Sequence, residues 1–106
     1  MEKGIKAARL ADQIRDYLAT WTRRDFPGYF FTITQVTLKP DLTMATIWIE
    51  VIDPSQLETL LHKLKRKEVP YKHELARTLN RRSSLQLQFL PDSSADIQRQ
   101  LDQLLN

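Results

Sequence analysis

Residues 29–56 read YFFTITQVTLKPDLTMATIWIEVIDPSQ, and this stretch decides the fold. Its opening, Tyr29–Leu38, is dense in β-branched and aromatic residues, which suit an extended pleated backbone. Phe31 and Ile33 share one side-chain parity, and Val36 and Leu38 share the other. A strand alternates its side chains with period two. Both pairs therefore reach one buried face only through an extra residue, which predicts a bulge or twist near Thr34-Gln35. Lys39-Pro40-Asp41-Leu42 has turn chemistry. A second strand is expected from Thr43 to Ile52, with Ala45, Ile47, Ile49 and Val51 on one face and Thr46, Trp48 and Glu50 on the other. So short a connection joins antiparallel neighbours. Asp53-Pro54-Ser55-Gln56 then starts a helix: Asp53 can cap it, Pro54 suits its first position, and Gln56 stands at the capping-box position.

Upstream, residues 4–23 carry Ala7, Leu10, Ala11, Ile14, Tyr17, Leu18 and Trp21 at three- and four-residue steps, an apolar helical stripe. Tyr17 and Trp21 are read as core. Pro27-Gly28 ends that helix. Downstream, Leu57, Leu60, Leu61 and Leu64 form the next buried stripe, which must end or bend before Pro70. A further helix is predicted over Pro70–Asn80, with Tyr71, Leu75 and Leu79 inward. A third strand, Leu85–Leu90, alternates Leu85, Leu87 and Phe89 with Gln86 and Gln88. Residues 94–105 are predicted to form an amphipathic helix through Ile97, Leu101, Leu104 and Leu105. The expected order is α-β-β-α-α-β plus a C-terminal helix. Helices would cover one face of a three-stranded sheet, with the third strand at an edge, reached by the helical crossover. The fold class is α+β.

The whole chain is 106 residues, the size of one domain with one core. It has no cysteine, which removes disulfides, thiolate zinc sites and cysteine nucleophiles. Two glycines leave no GxGxxG or GxxxxGK[ST] loop to cradle phosphate. No apolar run approaches the roughly 20 residues of a membrane span. The opening MEKGIKAARLADQIRD lacks a signal-peptide apolar block, so a cytoplasmic place is expected.

Charge is unevenly spread. The net value is +3, but residues 63–82 hold eight Lys and Arg against Glu68 and Glu74, a local +6. The tail from Pro91 to Asn106 is acidic, with Asp92, Asp96 and Asp102 against Arg99. A basic centre of this kind points to a surface facing a polyanion. His73, Arg77 and Arg81 recur every four residues on one helix flank, while Lys65, Arg66, Lys67 and Lys72 cluster about the break and Arg82 follows. Several cations in one plane can meet several phosphates at once, and the planar fork of Arg donates two bonds together. These eight residues are the candidate RNA-binding set. Lys3, Lys6 and Arg9 are a candidate second patch, although Glu2, Asp12 and Asp16 accompany them and a merely solvated face is favoured. Trp48 is read as packing under the bulged strand or the terminal helix, with base stacking as the alternative.

Taken together, three motifs in this order resemble bacterial ribosome-binding factor A. They are Thr37-Leu38-Lys39-Pro40-Asp41-Leu42-Thr43 with the strand through Ile49, Tyr71-Lys72-His73-Glu74-Leu75-Ala76-Arg77-Thr78-Leu79, and Leu85-Gln86-Leu87-Gln88-Phe89 followed by Asp92-Ser93. The resemblance spans nearly the whole chain. It implies a single type II KH-like ribosome-binding domain over residues 1–106. It further implies a non-catalytic assembly factor that binds the small ribosomal subunit and its rRNA and assists late maturation and rRNA processing. One departure stands out: the family's small residues and glycine at the helix kink are replaced by Lys67-Glu68-Val69, followed by Pro70. Val69 and Pro70 mark the expected bend, and Val69 puts a side chain where glycine would let RNA backbone come close.

Other chemistry finds little support. His62 and His73 are the only histidines, eleven residues apart, with no acid or cysteine at ligand spacing. No metal, cofactor or catalytic residue is therefore expected. No GxxG loop occurs, so recognition should rest on phosphate position and RNA shape. The expected partners are small-subunit rRNA and the small subunit, with no membrane, and the chain is expected to be a monomer. The competing reading is a protein-interaction module of the same shape, using a strand edge or the C-terminal helix.

Overall fold

The computed structural model describes residues 2–80, 85–93 and 101–105, with side chains from Lys6 onward. Helix α1 spans Glu2–Asp25, strand β1 Phe31–Leu38, strand β2 Met44–Val51, helix α2 Leu57–Thr78 and strand β3 Gln86–Pro91. A 3-10 turn, Pro54–Gln56, leads into α2, and the Asp53 side chain caps it by accepting from the Ser55 N–H at 3.0 Å.

The sheet order is β1-β2-β3, antiparallel between β1 and β2 and parallel between β2 and β3. The α2 crossover makes the parallel pairing reachable. The bulge falls where parity demanded it: Ile33 faces Ile49 and Gln35 faces Trp48, so Thr34 is the extra residue. Thr34 uses its position, donating its hydroxyl to the Asp92 carboxylate beyond β3. Beyond the bulge, Val36 and Leu38 rejoin the core side and pack against the same cluster as Phe31.

Both helices lie on one face. Leu10, Ile14, Leu18 and Trp21 of α1 and Leu60, Leu64, Tyr71 and Leu75 of α2 are buried with Ile33, Ala45, Ile47, Ile49, Leu87 and Phe89 of the sheet. The alternate side chains of β2, Trp48 among them, point to the other face. There Trp48 is half-buried, and its indole N–H donates to the Thr37 hydroxyl on β1 at 3.0 Å. It is tied to the strand beyond the bulge rather than sunk beneath it.

Two further expectations need correction. Tyr17 is not core: it is 37% exposed, whereas Trp21 is 7% exposed. The chain also has one helix where two were predicted around Pro70. Helix α2 runs unbroken from Leu57 to Thr78 with Pro70 inside it, so the described order is α-β-β-α-β. Proline removes the bond to the Arg66 carbonyl and crowds that turn, at a cost of about 3 kcal/mol. The helix continues because Leu60 and Leu64 before Pro70 and Tyr71 and Leu75 after it share one buried stripe. Residues 101–105 are helical, in line with the predicted terminal helix, and the rest of that segment lies outside the described residues.

Candidate nucleic-acid interface

With 3.6 residues per turn, the stripe that buries α2 against the sheet fixes what faces away from it. Arg66, Val69, Pro70, His73 and Arg77 fall on the side opposite Leu64 and Tyr71, and none of them is buried. Lys65, which is exposed, and Lys72, half-buried, lie on the flank beside them. From Lys65 to Arg77 the ridge extends about 18 Å at 1.5 Å per residue. Val69 and Pro70 divide it into Lys65-Arg66 before the proline and Lys72, His73 and Arg77 after it.

Lys67 departs from the predicted set. It faces α1, and its Nζ lies 3.8 Å from Asp25 Oδ2 and 5.8 Å from the Tyr71 ring centroid. A neighbouring carboxylate already answers its charge. Lys63, which adds to the basic window, sits 5.1 Å over the Tyr29 ring. The ion pairs found among the described residues are Arg24 with Asp25 and with Glu74, and Lys67 with Asp25. Lys65, Lys72 and Arg77 take part in none of them. Arg66 Nη2 is 3.3 Å from His62 Nε2, within its own helix face.

Asp25 is the junction beneath this ridge. It accepts from Arg24 Nε at 2.9 Å and from the Tyr71 hydroxyl at 2.8 Å. The Arg24 bonds hold its carboxyl down at about 2, with the Tyr71 hydroxyl and Lys67 acting in the same direction. Burial, together with the bond to Asp25, pushes the Tyr71 hydroxyl far above its ordinary value. Arg24 also reaches Glu74 with Nη1 at 3.2 Å and Nη2 at 3.3 Å. Lys67 precedes Pro70, while Tyr71 and Glu74 follow it, so the end of α1 grips α2 on both sides of the proline. Reading the sequence missed this grip. The available signal was Asp25 itself, an acid in the last turn of a helix, where the dipole disfavours it.

On the other flank Glu68 accepts from the Phe89 backbone N–H at 2.9 Å. In the alternating pattern set by the Gln86 and Asp92 bonds to β2, Phe89 faces the outer edge of β3, so Glu68 occupies an edge donor. Lys6 and Arg9 lie on α1, where they line a groove together with Thr78 and Leu79 at the C-terminal end of α2. Arg81 and Arg82 and the Lys3 side chain lie outside the described residues. Among the described residues no group of three or more His, Asp or Glu could hold a metal. No described helix is long and apolar enough to cross a membrane.

The architecture and the charged face define a class: a type II KH-like α+β domain whose outer helix presents aligned cations. The family model described as Ribosome-binding factor A matches residues 6–105. The chain belongs to that family. It is 28% identical over 104 residues to Ribosome-binding factor A of Paramagnetospirillum magneticum, spanning 92% of this chain and 73% of that protein. With the Novosphingobium aromaticivorans protein of the same name it shares 23% over 109 residues, 97% of this chain and 81% of that one. The crystal structure of ribosome-binding factor A from Thermus thermophilus superimposes with a TM-score of 0.69 at 26% identity, covering 80% of this chain and 94% of the other.

Proposed function

We propose that this protein binds the small ribosomal subunit through its rRNA and assists late subunit maturation and rRNA processing, without catalytic turnover. The observation that carries the proposal is the outward ridge of Lys65, Arg66, Lys72, His73 and Arg77 on α2, held rigid by the core beneath it. The names of its relatives support a ribosomal target. Arg81 and Arg82 are proposed to extend the ridge, while Lys67 serves the fold. The protein acts by occupancy: it holds one rRNA arrangement and leaves when another forms, shifting the equilibrium by its differential affinity for the two. Contacts go to phosphates in a fixed spatial pattern, so RNA shape is what is read. The proposed working state is a cytoplasmic monomer of one domain.

Co-sedimentation with purified small subunits tests this. Replacing Arg66, His73 and Arg77 together by Glu is expected to abolish it while the melting temperature changes little, because none of the three is buried. Undiminished co-sedimentation overturns the assigned face. Footprinting of rRNA on immature and mature subunits then reads the differential affinity. The competing reading, docking of another protein at a strand edge, is weakened at β3, where Glu68 fills the Phe89 donor and Pro91 has none.

A further inference from the structure

We infer that the groove between α1 and the C-terminal end of α2 receives one unstacked nucleotide of the bound RNA, its base against Tyr17 and its phosphate on Lys6 and Arg9. This rests on the RNA-binding reading above and adds a second, chemically distinct contact to it.

The groove measures about 570 Å³, within the range of ligand sites. Its apolar walls are Leu10 and Tyr17 of α1, Leu42 of the β1–β2 turn and Leu79 after α2. Lys6 and Arg9 stand at its rim and are exposed, and Gln13 and Thr78 add polar groups that can meet the edge of a base.

Tyr17 is the outer end of a run of rings. It stacks on Trp21 at 5.7 Å with planes 26° apart, Trp21 meets Tyr71 at 5.9 Å, and Tyr71 meets Phe89 at 6.4 Å. The last three rings are buried, so the Tyr17 ring is held in place before any ligand arrives. Stacking on a fixed ring spares the ordering cost that a free side chain would impose.

Leu42 shapes the groove from the β1–β2 turn. Its φ is 58°, a left-handed conformation in which Gly or Asn is easier for the backbone. The turn enforces it: the Leu42 N–H donates to the Lys39 carbonyl at 2.8 Å, and Asp41 accepts from the Thr43 N–H at 3.1 Å. The bulky side chain in that costly position forms a wall of the groove.

Charge and position select the occupant. The cationic rim favours an anionic ligand, yet Asp12 and Asp16 stand exposed on neighbouring turns of α1 and weaken the hold on a bare anion. A ligand that also stacks escapes that limit. Base-paired RNA keeps its bases inside, so the nucleotide must come from a bulge, loop or strand end. Thr78 on the groove wall directly follows Arg77 on the ridge, so one RNA can reach both.

The test compares two RNA hairpins, one fully paired and one with a single bulged 2-aminopurine, titrated with the full chain. The bulged RNA is expected to bind roughly tenfold more tightly, the scale of one base–aromatic stack, with its fluorescence quenched on binding. Tyr17→Leu should erase both the preference and the quench, and Tyr17→Phe should keep them. Lys6→Gln with Arg9→Gln, at exposed positions where folding is not at stake, should reduce the preference. Arg66→Glu with Arg77→Glu should weaken both RNAs alike and leave their ratio intact. Equal binding of the two hairpins, untouched by Tyr17→Leu, overturns the groove while leaving the ridge standing. Binding of neither RNA at low salt overturns the RNA reading itself. Self-association abolished by Tyr17→Leu, without any bulge preference, gives the groove to a second copy and also overturns the inference.

Discussion

Asp25 occupies the last position of α1, where the helix dipole alone would disfavour a carboxylate. It is kept because Arg24, Tyr71 and Lys67 converge on it. Its carboxyl titrates at about 2 in the folded protein against an ordinary value of 3.8. The depressed value means the stabilisation is fully present above about pH 4 and is lost as pH falls toward 2. Its size, discounted for partial exposure, is about 1–2 kcal/mol. Urea midpoints measured across this window should fall for the natural chain, and Asp25→Asn should remove that share of the fall while lowering stability at neutral pH. Glu68 makes a second prediction. Replacing it by Ala leaves the Phe89 N–H unsatisfied at a sheet edge, which should cost about 1–2 kcal/mol. The opened edge should also show as concentration-dependent light scattering. Neither role was visible in the sequence, since both depend on partners that only the tertiary fold brings near. The Tyr71 hydroxyl, for instance, lies 46 residues from Asp25 along the chain.

Among the elements, legibility followed how local the cause was. The β1–β2 hairpin and its bulge were readable because side-chain parity is a property of a few consecutive residues, and the structure places the extra residue at Thr34. Helix α1 and strand β3 were readable from their periods. Pro70 misleads because local chemistry says stop, whereas the shared stripe of Leu60, Leu64, Tyr71 and Leu75 and the Arg24-Asp25 grip say continue. Of the candidate site, Arg66, His73 and Arg77 share an outward side with Lys65 and Lys72 on its flank, but Lys67 turns toward α1 for the same long-range reason. The proline then has a testable consequence. Pro70→Ala restores a helix donor, so thermal unfolding should show a gain of about 1–3 kcal/mol. If the proline sets how Lys65-Arg66 align with His73-Arg77, the same variant should bind small subunits less well. A gain in stability with unchanged binding would detach the proline from the interface.

For the molecule as a whole, binding should be governed by counterion release. Four permanent cations on the ridge, Lys65, Arg66, Lys72 and Arg77, carry no carboxylate partner among the described ion pairs. If each neutralises one phosphate, the logarithm of the RNA association constant should fall against the logarithm of salt with a slope of about −3 to −4. Arg81 and Arg82 would steepen it. The body behind the ridge decides which substitutions count. Lys65→Gln or Arg77→Gln removes a cation that faces outward and should reduce the slope by about 1. Lys67→Gln makes the same change in net charge, but its ammonium is already beside Asp25 at 3.8 Å, so the slope should hardly move. Net charge alone predicts identical effects for all three variants, whereas the fold predicts two that lower the slope and one that does not. Salt titrations of the three, side by side on one RNA, separate these accounts. Equal slopes would mean that the orientation imposed by α2 plays no part in how this protein meets RNA.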